Sequence, residues 1–208
     1  MKKIFLLFIL ITHTILSFSQ NEIAAKKLLD AVNSKVKSIP VLTGSFTIKS
    51  ITSKGKLNGT KVGTIVIKGN RYSLKQGSTE IICDGNKTYS YDGAKTITVA
   101  AVDEGNRTLT PQKILSGNYD KEFTYKLIST TGNFNEIELK PIDARKNFQK
   151  VNLFIDKVKG LITKANLLDK SNNKMEFIFS NINTNSKIAD ANFVFNKSKY
   201  PKDVEILD

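Results

Sequence analysis

Few side chains in this sequence can do chemistry, and their positions narrow the field. The single histidine is His13 and the single cysteine is Cys83. His13 lies in an apolar N-terminal run that reads as a removable export signal, so the remaining chain carries no imidazole. That excludes Ser-His-Asp and Cys-His nucleophilic catalysis and every histidine metal site. A lone cysteine forms no internal disulfide and builds no cysteine zinc cluster. Cys83 ends the strand-like run Ile81-Ile82-Cys83, where it reads as a small buried hydrophobe. Carboxylates remain: Asp84, Asp92, Asp103, Glu104 and Asp156 offer in principle an acid-base pair of the glycosidase kind. Most of them sit at turns, where aspartate is favoured for backbone reasons. The expectation is a protein that is not an enzyme and needs neither cofactor nor metal.

The N-terminus supports export. Lys2 and Lys3 precede the unbroken apolar run Ile4 to Ile11, and Ser17-Phe18-Ser19 supplies a small-any-small cleavage site before Gln20. This order predicts a signal peptide over 1–19 and a mature domain over 20–208, with the periplasm as destination. The apolar run is too short for a comfortable membrane span of ~20 residues. Cleavage removes two lysines and no acid from a chain of net charge +13, leaving +11. The charge favours anionic partners, yet the cations are nearly all lysine, with arginine only at 71, 107 and 145. Arginine is the usual fork for bases and phosphates, so nucleic acid is not expected. An anionic membrane surface, an acidic partner and a merely solubilising surface all remain open.

The elements that position these residues follow from periodicity. Leu28, Val32 and Val36 recur every fourth residue, and Ile39, Ala24 and Leu29 widen the stripe. This predicts an amphipathic helix over 21–38, with Asn21 as N-cap and Pro40 preventing continuation. From Thr43 the period becomes two, with strands broken at Asn58-Gly59, Gly69-Asn70, Gly77-Ser78, Asp84-Gly85 and Asp92-Gly93. Such close breaks predict antiparallel hairpins. Thr110-Pro111 opens a second, short helix closed by Gly117. Strands resume over 123–129, 135–140, 149–156, 161–168 and 174–180, and two more short segments, 192–196 and 203–207, finish the chain. One domain is expected: a mainly β protein with a strongly curved antiparallel sheet, whose apolar face the two helices cover.

This order, with its motifs, resembles the LolA family of periplasmic lipoprotein carriers. Leu42-Thr43-Gly44-Ser45-Phe46-Thr47 resembles the family's first strand, and Gly63-Thr64-Ile65-Val66-Ile67-Lys68 the next. Cys83-Asp84-Gly85-Asn86-Lys87-Thr88, with Tyr89, Tyr91 and Asp92, resembles a turn leading into an aromatic strand. Thr110-Pro111 with Ile114-Leu115 resembles the start of the inserted helix. Ile137 to Pro141, the hairpin Val151 to Leu168, and Ser180 to Phe195 resemble the later strands and closing segment. One departure is local: the family's Arg-Pro after the second strand, thought to hold the helical lid shut, is replaced by Lys68-Gly69-Asn70-Arg71-Tyr72. Arg71 is the candidate for that closing role from a shifted position.

The resemblance implies an incomplete antiparallel β-barrel with an α-helical lid over an apolar cavity, and a carrier that shuttles lipoproteins by their acyl chains from inner to outer membrane. Exposing an acyl chain of ~15 methylenes to water costs about 12 kcal/mol, at ~0.8 kcal/mol per methylene, so such cargo needs a carrier. Candidate cavity residues are Phe46, Ile48, Val66, Tyr72, Leu74, Ile81, Tyr89 and Tyr91 on strands, faced by Leu28, Val32, Ile114 and Leu115 from the helices. Implied partners are lipidated proteins, an inner-membrane release complex and an outer-membrane acceptor, served by a monomer. A carrier of a glycolipid or aryl lipid, or a lipoprotein-sensing regulatory domain, would share the fold.

Overall fold

The computed structural model describes residues 21–102, 109–117, 119 and 122–208. The expected signal peptide, Asp103 and Glu104 lie outside the described residues. The mainly β architecture is as expected. Twelve strands form one curled, open sheet in the order β12-β6-β5-β4-β3-β2-β1-β11-β10-β9-β8-β7. They are β1 Leu42–Ile51, β2 Leu57–Lys68, β3 Arg71–Gln76, β4 Thr79–Cys83, β5 Lys87–Tyr91, β6 Thr96–Ala101, β7 Phe123–Ser129, β8 Phe134–Pro141, β9 Phe148–Asp156, β10 Leu161–Asp169, β11 Lys174–Asn183 and β12 Glu205–Leu207. Each hairpin step is antiparallel, whereas β12 returns over a long connection and lies parallel to β6. The barrel is incomplete, because β7 and β12 are edges that do not meet.

Helix α1 spans 21–38 and already includes Asn21, which therefore does not cap it. Helix α2, Pro111–Ser116, starts as expected: Thr110 accepts a hydrogen bond from the Lys113 N–H, and proline occupies the first turn. Gly117 closes α2 in the left-handed region at φ 67°. A β-carbon there would lie 3.0 Å from both the Asn33 nitrogen and a Val32 methyl of α1, so only glycine lets the two helices approach this closely.

The turn carboxylates hold the hairpins. Asp84 accepts from the N–H groups of Asn86 and Lys87, both at 2.8 Å. Asp92 accepts from Ala94, Lys95 and Thr96, and Asp156 from Val158 and Lys159. These backbone bonds hold the Asp92 carboxyl below the usual carboxylate range, and do the same for Asp84 against a smaller opposing effect of burial. Each is occupied by its own turn. Among the described residues, no group of three or more His, Cys, Asp or Glu is arranged to hold a metal.

The closing segment departs from the strand expected over 192–196. Asp190–Phe193 and Lys197–Lys199 form short 3-10 turns instead. The reason is what they touch, namely the outer surface of the sheet and not its edge.

Candidate functional site: the concave face and its helical lid

Strand parity and register divide the sheet into two faces. Pairing places Leu42, Gly44, Phe46 and Ile48 of β1 with Ile67, Ile65, Gly63 and Lys61 of β2. Ile65 and Ile67 pair with Leu74 and Tyr72, which pair in turn with Ile81 and Cys83. On the other side Phe46 and Ile48 oppose Phe179 and Phe177 of β11, and Ala165, Leu153 and Ile137 continue the row. This is the concave face, and with Tyr125 and Leu127 of β7 it is apolar over nine of the twelve strands. Against it pack Ala25, Leu29 and Val32 of α1, Ile114 and Leu115 of α2, and Tyr119. All six are nearly fully buried, at 0–2 % exposure.

Nine of the twelve expected cavity residues meet on this face. Val32, Phe46, Leu74, Ile114 and Leu115 belong to the buried cluster, and Leu28, Ile48, Tyr72 and Ile81 pack against it. Tyr72 is desolvated there, which with the nearby Cys83 thiol pushes its pKa up to about 12. Cys83 itself is wholly buried, and that burial raises its thiol pKa.

Val66, Tyr89 and Tyr91 do not join them. Register pairs Val66 with Ser73, Ser73 with Ile82, and Ile82 with Tyr89, while Tyr91 pairs with Glu80. All lie on the convex face, because their strands' opposite residues, Ile65, Ile67, Thr88 and Ser90, point inward. There the C-terminal segment covers the two tyrosines. Phe195 stacks on Tyr89 with ring centroids 4.5 Å apart, and Tyr200 tilts against Tyr91 at 4.9 Å. The Tyr200 hydroxyl donates to Glu80 at 2.8 Å.

Arg71 lies on the convex face as well, paired with Lys68. Its guanidinium donates to Asp190 at 3.2 Å and lies 5.2 Å from the Phe193 ring centroid. Lys68 binds the same carboxylate at 2.6 Å. Arg71 therefore fastens the C-terminal segment to the convex face, the side of the sheet away from the helices. The polar contacts at the helices are different ones. Glu122 pairs with Lys113 of α2 and, at 2.9 Å, with Lys146 of the β8–β9 connection. Burial alone would raise the Glu122 carboxyl, but these two ammonium groups bring it below the usual range. At the far end of α1, Lys35 donates to the Lys159 carbonyl at 2.5 Å.

Several concave residues were not expected from sequence. Phe177 and Phe179 are 1 % and 4 % exposed at the centre of the face. The alternation Met175, Phe177, Phe179 carried that signal. A groove of about 340 Å³ opens where the first turn of α1 meets the edge strand, between Glu22, Ile23 and Lys26 and Phe123, Thr124 and Tyr125.

The outer membrane lipoprotein carrier model matches residues 37–196, from the end of α1 to the closing segment. The chain belongs to the LolA family. The chain is also similar to solved structures. An uncharacterised conserved protein from Thermus thermophilus is 10 % identical over 87 % of this chain and 96 % of its own, with a TM-score of 0.57. A LolA-superfamily protein from Nitrosomonas europaea is 13 % identical over 82 % of this chain and 97 % of its own, with a TM-score of 0.49. A putative outer membrane lipoprotein-sorting domain from Vibrio parahaemolyticus is 10 % identical over 86 % and 99 %, also at 0.49. No curated protein matches the sequence.

Proposed function

We propose that this LolA-family protein is a periplasmic carrier that binds the acyl chains of lipoproteins under its helices and moves them from inner to outer membrane. One observation carries the reading. The apolar concave face is sealed by α1 and a six-residue α2, not by closure of the sheet. A closed barrel would make that burial permanent. Helices that pack on the sheet without pairing into it can lift and leave a trough lined by Phe46, Ile48, Tyr72, Leu74, Ile81, Phe177 and Phe179, with Leu28, Val32, Ile114 and Leu115 on the moving side. In the closed form the helix side chains occupy that trough, so acyl chains replace them one apolar contact for another. The exchange keeps net affinity modest, as a carrier that must hand over its cargo requires. Carriage involves no bond-making, and the turn carboxylates are occupied by backbone.

The test is native mass spectrometry with lipid extraction on the protein purified from its own periplasm. Copurified lipoproteins or acylated peptides are expected. A free glycolipid or aryl lipid would keep the trough but change the cargo. An empty protein that also takes up no fluorescent fatty acid would end the carrier reading.

A further inference from the structure

The β9–β10 turn carries the most exposed large apolar side chain of the described residues. Val158 is 94 % exposed, between Lys157 and Lys159. The turn is not loose. Asp156 accepts from the Val158 and Lys159 N–H groups at 3.0 and 2.9 Å, and its carbonyl accepts from Gly160 at 2.8 Å. Lys157 donates to the carbonyls of Thr130 and Gly132 in the neighbouring β7–β8 turn, at 2.5 and 2.9 Å. Lys35 of α1 donates to the Lys159 carbonyl. The valine is thus held outward on a braced tip.

The charges around it are unbalanced. Lys35, Lys157 and Lys159 are all exposed, as is Lys37 in the last turn of α1 at the same end of the barrel. Lys35 and Lys157 are held by carbonyl oxygens, which carry no net charge to neutralise them. The carboxylate of the turn itself, Asp156, is turned into its own backbone, and Glu136, at the base of the β7–β8 turn, accepts from the uncharged Asn152 amide. Ile128 and Phe134, on the strands that enter and leave the β7–β8 turn, are 45 % and 38 % exposed. A small apolar tip inside a lysine collar is poorly suited to a protein interface, which needs a broader complementary patch. It suits the headgroup layer of a membrane, where a short apolar side chain enters the interface and lysines meet anionic lipids.

We propose that this end of the barrel, with Val158 as its tip, docks the protein reversibly on anionic membrane surfaces. The inference is independent of cargo uptake and is tested without cargo. The experiment is co-sedimentation of the full-length mature protein with phosphatidylcholine vesicles carrying about one third phosphatidylglycerol, beside pure phosphatidylcholine. Binding is expected only to the anionic vesicles and should fall with added salt. Each lysine near such a surface contributes about fivefold to partitioning. The double change Lys37→Glu with Lys159→Glu should therefore weaken binding at least about 25-fold, and Val158→Ser should weaken it several-fold. Neither site is buried, so thermal melts should match wild type. Lys54→Glu with Lys56→Glu, at the opposite end of the barrel, is the control for net charge and should lose much less. Absence of wild-type binding overturns the proposal. So does equal binding by the tip variants, or an equal loss in the control.

Discussion

The ring of Phe46 lies directly over Gly63 of the neighbouring strand. The two residues are paired across β1 and β2 on the concave face, and a β-carbon at Gly63 would collide with the Phe46 ring and with the Lys75 carbonyl. Phe46 is only 2 % exposed, so the ring has nowhere to go. Glycine in a strand normally weakens it, and here it makes room for an aromatic side chain at the floor of the trough. Gly63→Ala is expected to destabilise the fold by about 1–3 kcal/mol through overpacking, read as a lower urea midpoint with an unchanged slope. A neutral substitution would show that the ring swings clear.

The contact between Glu122 and its two lysines makes a pH prediction. The folded-state pKa of Glu122 is lowered from its ordinary value of 4.5. A group depressed on folding adds stability above its unfolded pKa, and that stability is lost as pH falls through the folded value. Glu122→Gln should therefore lower Tm near neutrality by roughly 3–8 °C. The gap between variant and wild type should close progressively below pH 4.5. A constant gap would assign the loss to packing.

The strand pattern of the fold was legible because its punctuation is local. Asx-Gly pairs and the Thr110-Pro111 start specify turns and a helix cap through their own backbone chemistry, without reference to distant residues. The choice of face was not legible in the same way. Alternation says that Thr88 and Ser90 share one side of β5 and Tyr89 and Tyr91 the other, but not which side looks inward. Hydrophobicity favoured the tyrosines. The outcome was decided by Phe195 and Tyr200, more than a hundred residues downstream, which give the convex face its own apolar cover. The place of Arg71 was hidden for the same reason, since its partner Asp190 is 119 residues away. Phe177 and Phe179 were readable as a strand, but their place at the centre of the face depended on the β1–β11 pairing.

Arg71 and Asp190 should therefore control the C-terminal segment and not the helices. In Arg71→Ala, amide hydrogen exchange is expected to speed up over 189–195. Protection of α1 should stay as in wild type. Faster exchange in α1 would restore a lid-closing role to this arginine.

Cys83 gives a simple probe of opening. It is fully buried and its thiol pKa is raised, so little thiolate forms and none is accessible. Alkylation by iodoacetamide at pH 8 should be negligible in the native protein and complete in denaturant. Native labelling within minutes would mean that the helices lift from this part of the concave face or that the sheet opens at β3–β4.

The lid itself should show opposite effects on stability and on uptake. Leu29 and Ile114 seal the trough from α1 and α2, at 2 % and 0 % exposure. Truncating Ile114 to alanine removes buried methylenes and should cost about 2–4 kcal/mol of stability. Part of that loss falls on the closed form alone, because the open, cargo-receptive form has already separated α2 from the sheet. The open fraction therefore rises, and the apparent affinity for a fluorescent fatty acid rises by the same factor, up to about tenfold for 1.4 kcal/mol of differential loss. Truncating Phe179, which lines the trough in both forms, lowers stability without that compensation and should weaken the probe. Comparing the two variants in one titration separates a lid from a wall. If Ile114→Ala and Phe179→Ala both weaken the probe alike, α2 is a fixed part of the core.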